Sequence, residues 1–279
     1  MAFDPITGDI YVSYLDRTMA DKFVVRKWDG SSWVTVGSND ASTGTTQHAR
    51  LALTSNGIPY VAYVDLDNSA RLTVMKLDGS NWVPVGDVGF ALGGRANRLG
   101  FVIDPSSGVP YVAYSDAVLS DKATVRHFVL PSSWPSVGAE GFSAGTTHNL
   151  MLAIGSTGVP YVVYEDAAAG GKTTVMKFAS GTWANVGTAG FSAGAAVDQS
   201  LLISARNTLY TAYIDRSVGN KVVAKRFDGS TADWVTEGPE GFSAGGAAYL
   251  TGAMSPSGTP YVVFKDSTQG NKLTVMKLD

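Results

Sequence analysis

The sequence predicts an all-β protein built as a six-bladed β-propeller, and three observations predict it. A segment like Gly57 to Gly86, GIPYVAYVDLDNSARLTVMKLDGSNWVPVG, recurs about every 50 residues along the whole chain. Each copy holds four short apolar runs separated by turns rich in Gly, Asn and Asp. The central runs, such as PYVAYVD and KLTVMKL, are almost continuously apolar rather than alternating, as expected of strands covered on both faces by neighbouring sheets. Four strands per unit and six units are the proportions of a radial array of blades.

The first run of each unit is short and apolar: Leu51 to Leu53, Leu99 to Ile103, Leu150 to Ala153, Leu201 to Ile203 and Leu250 to Met254. The first unit keeps only the end of this run, near Phe3. Second runs follow at Ile10 to Tyr14, Tyr60 to Tyr63, Tyr111 to Tyr114, Tyr161 to Tyr164, Tyr210 to Tyr213 and Tyr261 to Phe264. Third runs read KFVVRKW, RLTVMKL, KATVRHF, KTTVMKF, KVVAKRF and KLTVMKL, and a turn then leads to a fourth run beginning at Trp33, Trp82, Trp134, Trp183 or Trp234.

Pro84 and Pro135 lie in fourth runs, and proline has no N–H for a central ladder, so the fourth strand is placed at the outer edge and the first at the central channel. A single domain spanning 1–279 is expected, with blades at about 1–50, 51–98, 99–149, 150–200, 201–249 and 250–279. The last blade lacks its outer strand. Ring closure is therefore expected to rest on packing between faces, with KLTVMKL left as an edge; a fragment of a longer array is the alternative.

Composition agrees with this class. Hydrophobic residues make up 44% and charged residues 16% of the 279, and the 32 glycines suit a turn-dense chain, so helices are not expected. A formal net charge of -3 with no long Lys/Arg run argues against a nucleic-acid partner. The absence of Cys excludes disulfides and thiol chemistry. No apolar run approaches the roughly 18 residues of a membrane span, and the start, MAFDPITGDIY, has no signal-peptide pattern.

The order of these elements resembles NHL-type propeller repeats and the short-blade bacterial and fungal fucose-binding propeller lectins. The resemblance covers the whole chain and implies the propeller fold. It also implies a sugar site made by an Arg in the second strand, a Glu in the third and an adjacent aromatic; here those strands read YVAY and LTVMK, so the sugar specificity does not carry over. The turns DGSSW (Asp29 to Trp33) and DGSNW (Asp78 to Trp82) faintly resemble sialidase Asp-box hairpins, but the Ser before the Asp is missing. They read as hairpin turns of type I′ or a related type, with Gly supplying the positive φ.

Repetition separates scaffold from site. All six units carry an Asp at the end of the second strand and Lys or Arg six residues later: Asp16 and Lys22, Asp65 and Arg71, Asp116 and Lys122, Asp166 and Lys172, Asp215 and Lys221, Asp266 and Lys272. Such an Asp caps a turn, and a cross-strand pair adds ~0.2 to 1 kcal/mol. A second basic position (Lys27, Lys76, His127, Lys177, Arg226, Lys277) and the repeated tryptophans and phenylalanines (Phe90, Phe142, Phe191, Phe242) read as framework, the aromatic rings packing between blades. The residue before that basic position alternates Arg26, Met75, Arg126, Met176, Lys225, Met276, with no evident chemical role.

The copies diverge just before the inner strands, at GTTQHARL, GGRANRL, GTTHNL, GAAVDQSL and GGAAYL, which places candidate ligand-binding residues at the channel mouth: His48, Arg50, Arg95, Arg98, His148, Asn149, Asp198 and Tyr249. Arg50, Arg98, Asn149, Ser200 and Tyr249 read as one equivalent position. Arg50, Arg95 and Arg98, with His48 and His148, would form a cationic rim able to hold a carboxylate or phosphate. His48, His148 and Asp198 are too few for a metal, and no cofactor is expected. The leading function is a non-catalytic, lectin-like module, secreted or on a cell surface, binding an extracellular glycan, an acidic small molecule or a protein. The runner-up is a sialidase-like or other glycan hydrolase using the arginines and Tyr249, and the third is a structural segment of a larger surface protein.

Overall fold

The computed structural model describes residues 1–38, 40–42, 44–92, 99–255 and 257–278. It is a six-bladed β-propeller. Each blade is an antiparallel meander in which consecutive strands pair in sequence order, for example Thr147–Ile154, Pro160–Asp166, Lys172–Ala179 and Thr182–Asn185 in the fourth blade. Among the described residues no helix is long and apolar enough to cross a membrane, and the helical elements are single 3-10 turns such as Ala167–Ala169.

The repeated Asp makes that turn. Asp16, Asp116, Asp166, Asp215 and Asp266 each accept the backbone N–H two residues on, capping a 3-10 turn that closes on a residue in the left-handed region. The basic residue opposite is held by the ladder, Asp16 facing Lys22 in register, but the Lys22 ammonium meets Asp40 at 2.7 Å. The Asp is therefore a cap first.

Two repeated devices fasten blade to blade. Trp82, Trp134, Trp183 and Trp234 donate their indole N–H to the carbonyls of Val36, Val85, Val137 and Val186 in the preceding blade at 2.7–3.0 Å. Phe90, Phe142 and Phe191 stack on the last three of these indoles at 4.2–4.8 Å. On the opposite face the first residue of an inner strand donates its N–H to the preceding blade's hairpin, as Thr147 to Asp121, Ala196 to Gly171 and Ala247 to Asn220. The segment GFSAG recurs at 141–145, 190–194 and 241–245, and its serine accepts a third-strand N–H and donates to the turn's own glycine carbonyl, as Ser192 does with Thr173 and Gly194. The apolar cores accordingly span pairs of blades, as in the cluster joining Ala113 and Val125 to Leu150, Val162 and Tyr164.

The alternating residue of the third strand has a structural part after all. Arg126 donates from Nε to the Tyr114 hydroxyl at 2.9 Å, and the Tyr164 hydroxyl lies 3.2 Å from the sulfur of Met176. In these two blades the side chain at this position lies against the buried tyrosine of the second strand.

Three expectations need amendment. The third blade has three strands, Gly100–Ile103, Pro110–Asp116 and Lys122–His127, with isolated bridges at Arg126–Ser136 and Val129–Ser133 where the fourth was expected. Pro131 and Pro135 remove two ladder donors there. Inner strands begin earlier than the apolar runs, at Thr46, Thr147, Ala196 and Ala247. Finally, the seam between sixth and first blades stands open at its periphery. Tyr14 is 38% exposed where Tyr63, Tyr114, Tyr164, Tyr213 and Phe264 are buried, and Leu273 and Val275 are 76% and 63% exposed where Leu72 and Val74 are buried. Near the axis, side chains from all six blades (Ser13, Arg50, Phe101, Met151, Gln199 and Leu250 among them) line a central cavity of about 450 Å³.

Candidate functional site

The inner strands are not regular. In four blades the ladder to the second strand slips by one residue near its start, between Gln47 and Arg50, His148 and Met151, Val197 and Ser200, and Ala248 and Thr251. Each slip is a β-bulge, and one residue in it takes a positive φ: His48 at 51°, Asn149 at 51°, Asp198 at 54° and Tyr249 at 57°. None is glycine. His, Asn and Asp tolerate this region, whereas for a bulky Tyr it is strained by about 1–2 kcal/mol. A conformation kept at four equivalent positions, by four chemically different side chains, re-aims those side chains on the face that carries the Asp-capped turns.

Contacts fix part of this group. The Asp198 carboxylate accepts the backbone N–H of Tyr249 at 2.7 Å, joining fifth and sixth blades. The Asn149 amide donates to Glu165 at 3.0 Å, and Glu165 stands across the ladder from His148. Tyr249 is 72% exposed, with the ammonium of Lys265 at 5.9 Å from its ring centre. One residue inward from Asp198, Gln199 is buried at the cavity wall and donates to the Ala196 carbonyl at 2.7 Å, and its own carbonyl oxygen has no partner among the described residues. Arg50 lines the same cavity and donates to the Ala49 carbonyl at 3.0 Å. Two acidic groups, an amide, an ammonium and an exposed phenol ring suit a ligand with many hydroxyls, which needs donors and acceptors together with a face to lie on.

The structure brings His48, Asn149, Asp198 and Tyr249 to one position of the repeat, with His148 beside them. Arg50 is out of that set. It pairs with Ala62 two residues beyond His48, level with Met151, Ser200 and Thr251, and Ser200 is buried. The expected alignment of Arg50 with Asn149 and Tyr249 fails because the apolar run begins inside the bulge at Leu150 and Leu250 but after it at Leu51. Arg95 and Arg98 lie outside the described residues. Among the described residues no three of His, Asp and Glu converge as metal ligands. Glu165, Lys265 and Gln199 escaped the sequence reading, although two of them break an apolar pattern visibly: PYVVYED and PYVVFKD put a charge where Val64 and Ile214 stand elsewhere.

No protein-family model matches the chain, and no curated protein matches its sequence. Its fold is nevertheless that of known structures. The SapL1 lectin in complex with alpha methyl fucoside is 17% identical with a TM-score of 0.65, over 100% of this chain and 91% of that one. An Aleuria aurantia lectin mutant in complex with Fucalpha1-6GlcNAc is 17% identical with a TM-score of 0.62, over 97% and 88%. The Hadza microbial sialidase Hz136 is 14% identical with a TM-score of 0.58, over 92% of this chain and 59% of that one. At these identities the likeness is one of fold, and by fold the chain is a six-bladed propeller similar to the fucose-lectin structures.

Proposed function

We propose that this protein is a non-catalytic recognition module that binds a glycan at the channel mouth, on the ring of bulge residues His48, Asn149, Asp198 and Tyr249. One observation carries the reading: the scaffold repeats, yet at this strained position four blades present four different polar or aromatic side chains. Two of the solved structures named above, the SapL1 and Aleuria aurantia lectins, are complexes with fucosides, which supports a sugar as the ligand class. The second and third strands, YVAY and LTVMK, hold no such Arg or Glu, which supports a site set elsewhere on the scaffold. Tyr249 offers a stacking face, while Asp198, Glu165 and Asn149 offer acceptors and a donor for hydroxyls. A sialidase-type reaction needs a carboxylate beside its tyrosine nucleophile; the charged side chain set against the Tyr249 ring is Lys265.

The test is a glycan array that includes fucosylated, sialylated and neutral oligosaccharides, probed with the unmodified chain and with Tyr249→Ala. Binding to a defined glycan subset that falls at least tenfold in the variant is expected. Equal signals from both proteins, or none from either, would overturn the reading. Release of product from a sialoside would favour the hydrolase.

A further inference from the structure

The turns joining first to second strands are built alike but meet the next blade differently. Asp4, Asp104 and Ser204 hold one position of this turn, each accepting at its backbone carbonyl the N–H of the residue with a positive φ that ends it, Gly8, Gly108 and Asn207. In the first and third blades the aspartate is buried and closes on the next blade: a side chain on Gly57 would sit 2.9 Å from the Asp4 carboxylate, and one on Gly158 3.7 Å from that of Asp104. Each carboxylate is held by donors of its own turn, as Asp104 is by the Ser106 N–H at 2.9 Å and the Ser107 hydroxyl at 2.6 Å.

Between the fifth and sixth blades no carboxylate of the chain takes this place. Ser204 is too short to cross, a side chain on Gly258 would meet nothing within 4 Å, and a cavity of about 330 Å³ lies there, lined by Ser204, Arg206, Thr208, Tyr210 and Ser257. Gly108 is open too, but the turn before it in the ring, Thr54 to Gly57, carries no charge. Arg206 sets the fifth turn apart, since Asn56, Thr157 and Ser257 fill its position in the second, fourth and sixth blades. Its guanidinium has no ion-pair or hydrogen-bond partner among the described residues. The turn that carries it is fixed from its other side, where the Asn207 amide oxygen accepts the Ser156 N–H of the fourth blade at 3.0 Å. Hydroxyls complete the wall: Ser204 accepts the Thr208 N–H at 3.1 Å and keeps its own proton to donate.

We propose that this seam is a second ligand site, at the end of the strands opposite the bulge residues, and that it takes a small hydroxylated carboxylate. The ligand's carboxyl group pairs with Arg206, in the seam where the first and third blades supply a carboxylate of their own, and its hydroxyls meet Ser204, Thr208 and Ser257. A planar guanidinium holds a carboxylate through two parallel N–H bonds, so the charge selects the ligand and the fork orients it. The cavity volume falls in the range of small-molecule sites.

The probe is D-glucuronate, titrated calorimetrically into the intact protein at low ionic strength, with D-glucose as the same ring lacking the carboxyl group. Saturable binding of glucuronate and none of glucose is expected, weakened at least tenfold by Arg206→Gln. Ser204→Asp places in the fifth turn the carboxylate that Asp4 and Asp104 carry in theirs, a residue this turn is built to hold, and should weaken binding comparably by occupying the seam. Tyr249→Ala should leave it unchanged. Absence of saturable binding, equal binding of glucose, full affinity in Arg206→Gln or Ser204→Asp, or loss in Tyr249→Ala would overturn the proposal. Glycan binding at the channel mouth stands or falls separately.

Discussion

The carboxylate of Asp198 holds the backbone N–H of Tyr249 at 2.7 Å, and both residues occupy the same left-handed bulge position of neighbouring blades. The bond ties two site residues across an interblade seam, so one side chain positions the other. Hydrogen bonds to a charged group are worth about 1.5–3 kcal/mol, and partial exposure brings this to the lower end. Asp198→Ala should therefore cost about 1–2 kcal/mol in denaturant unfolding and weaken glycan binding as well. Unchanged stability and unchanged affinity would show that the bond positions nothing.

Tyr249 should display a conflict between stability and function. Its side chain is largely in water and its backbone is strained, so Tyr249→Gly removes little packing and relieves about 1 kcal/mol. The midpoint of thermal unfolding should rise by a few degrees while ligand binding is lost. A fall in the midpoint would mean that the ring supports the fold.

The tryptophans should separate by position. Trp183 is bracketed by the Val137 carbonyl and stacked on Phe142 at 4.2 Å, so Trp183→Ala should cost about 3–5 kcal/mol. Trp33 is 40% exposed, its ring meeting Trp28 at 5.5 Å, so Trp33→Ala should cost less than about 1 kcal/mol. Equal losses in chemical denaturation would contradict the bracket.

Much of this was readable from residues alone, for a physical reason. A period of about 50 residues with continuous apolar strands admits few architectures, and the Asp caps, the outer position of Pro84 and the interblade tryptophans all emerged as expected. His48, Asn149, Asp198 and Tyr249 were legible because they differ where everything around them repeats. Their mutual register was not, since the apolar run begins inside the bulge at Leu150 but after it at Leu51, which is how Arg50 was set level with Asn149. The third blade's lost outer strand had a visible signal in Pro131 and Pro135. The open seam had none, because exposure of Leu273 and Val275 depends on what lies opposite rather than on the strand itself.

His127 contributes to the decline of stability just below neutral pH. It sits beside the Tyr111 ring at 5.3 Å, and burial lowers its pKa below the ordinary 6.5. Well above pH 6.5 it is neutral in folded and unfolded chains alike and contributes no slope. As pH falls through the unfolded value toward the lower folded value, the unfolded chain takes up the proton more readily and stability drops. Unfolding measured between about pH 5 and 7 should show this decline, and His127→Gln should flatten it. An identical slope in both proteins would assign the dependence to other groups.

Titration calorimetry with the strongest glycan from the array, run on the unmodified chain, on Tyr249→Ala and on Trp33→Ala, tests the channel-mouth site most directly. Saturable binding that falls at least tenfold with Tyr249→Ala and is unaltered by Trp33→Ala is the predicted result. Full affinity in the Tyr249 variant, with loss in the Trp33 variant, would place the ligand at the rim of the blades and contradict the account.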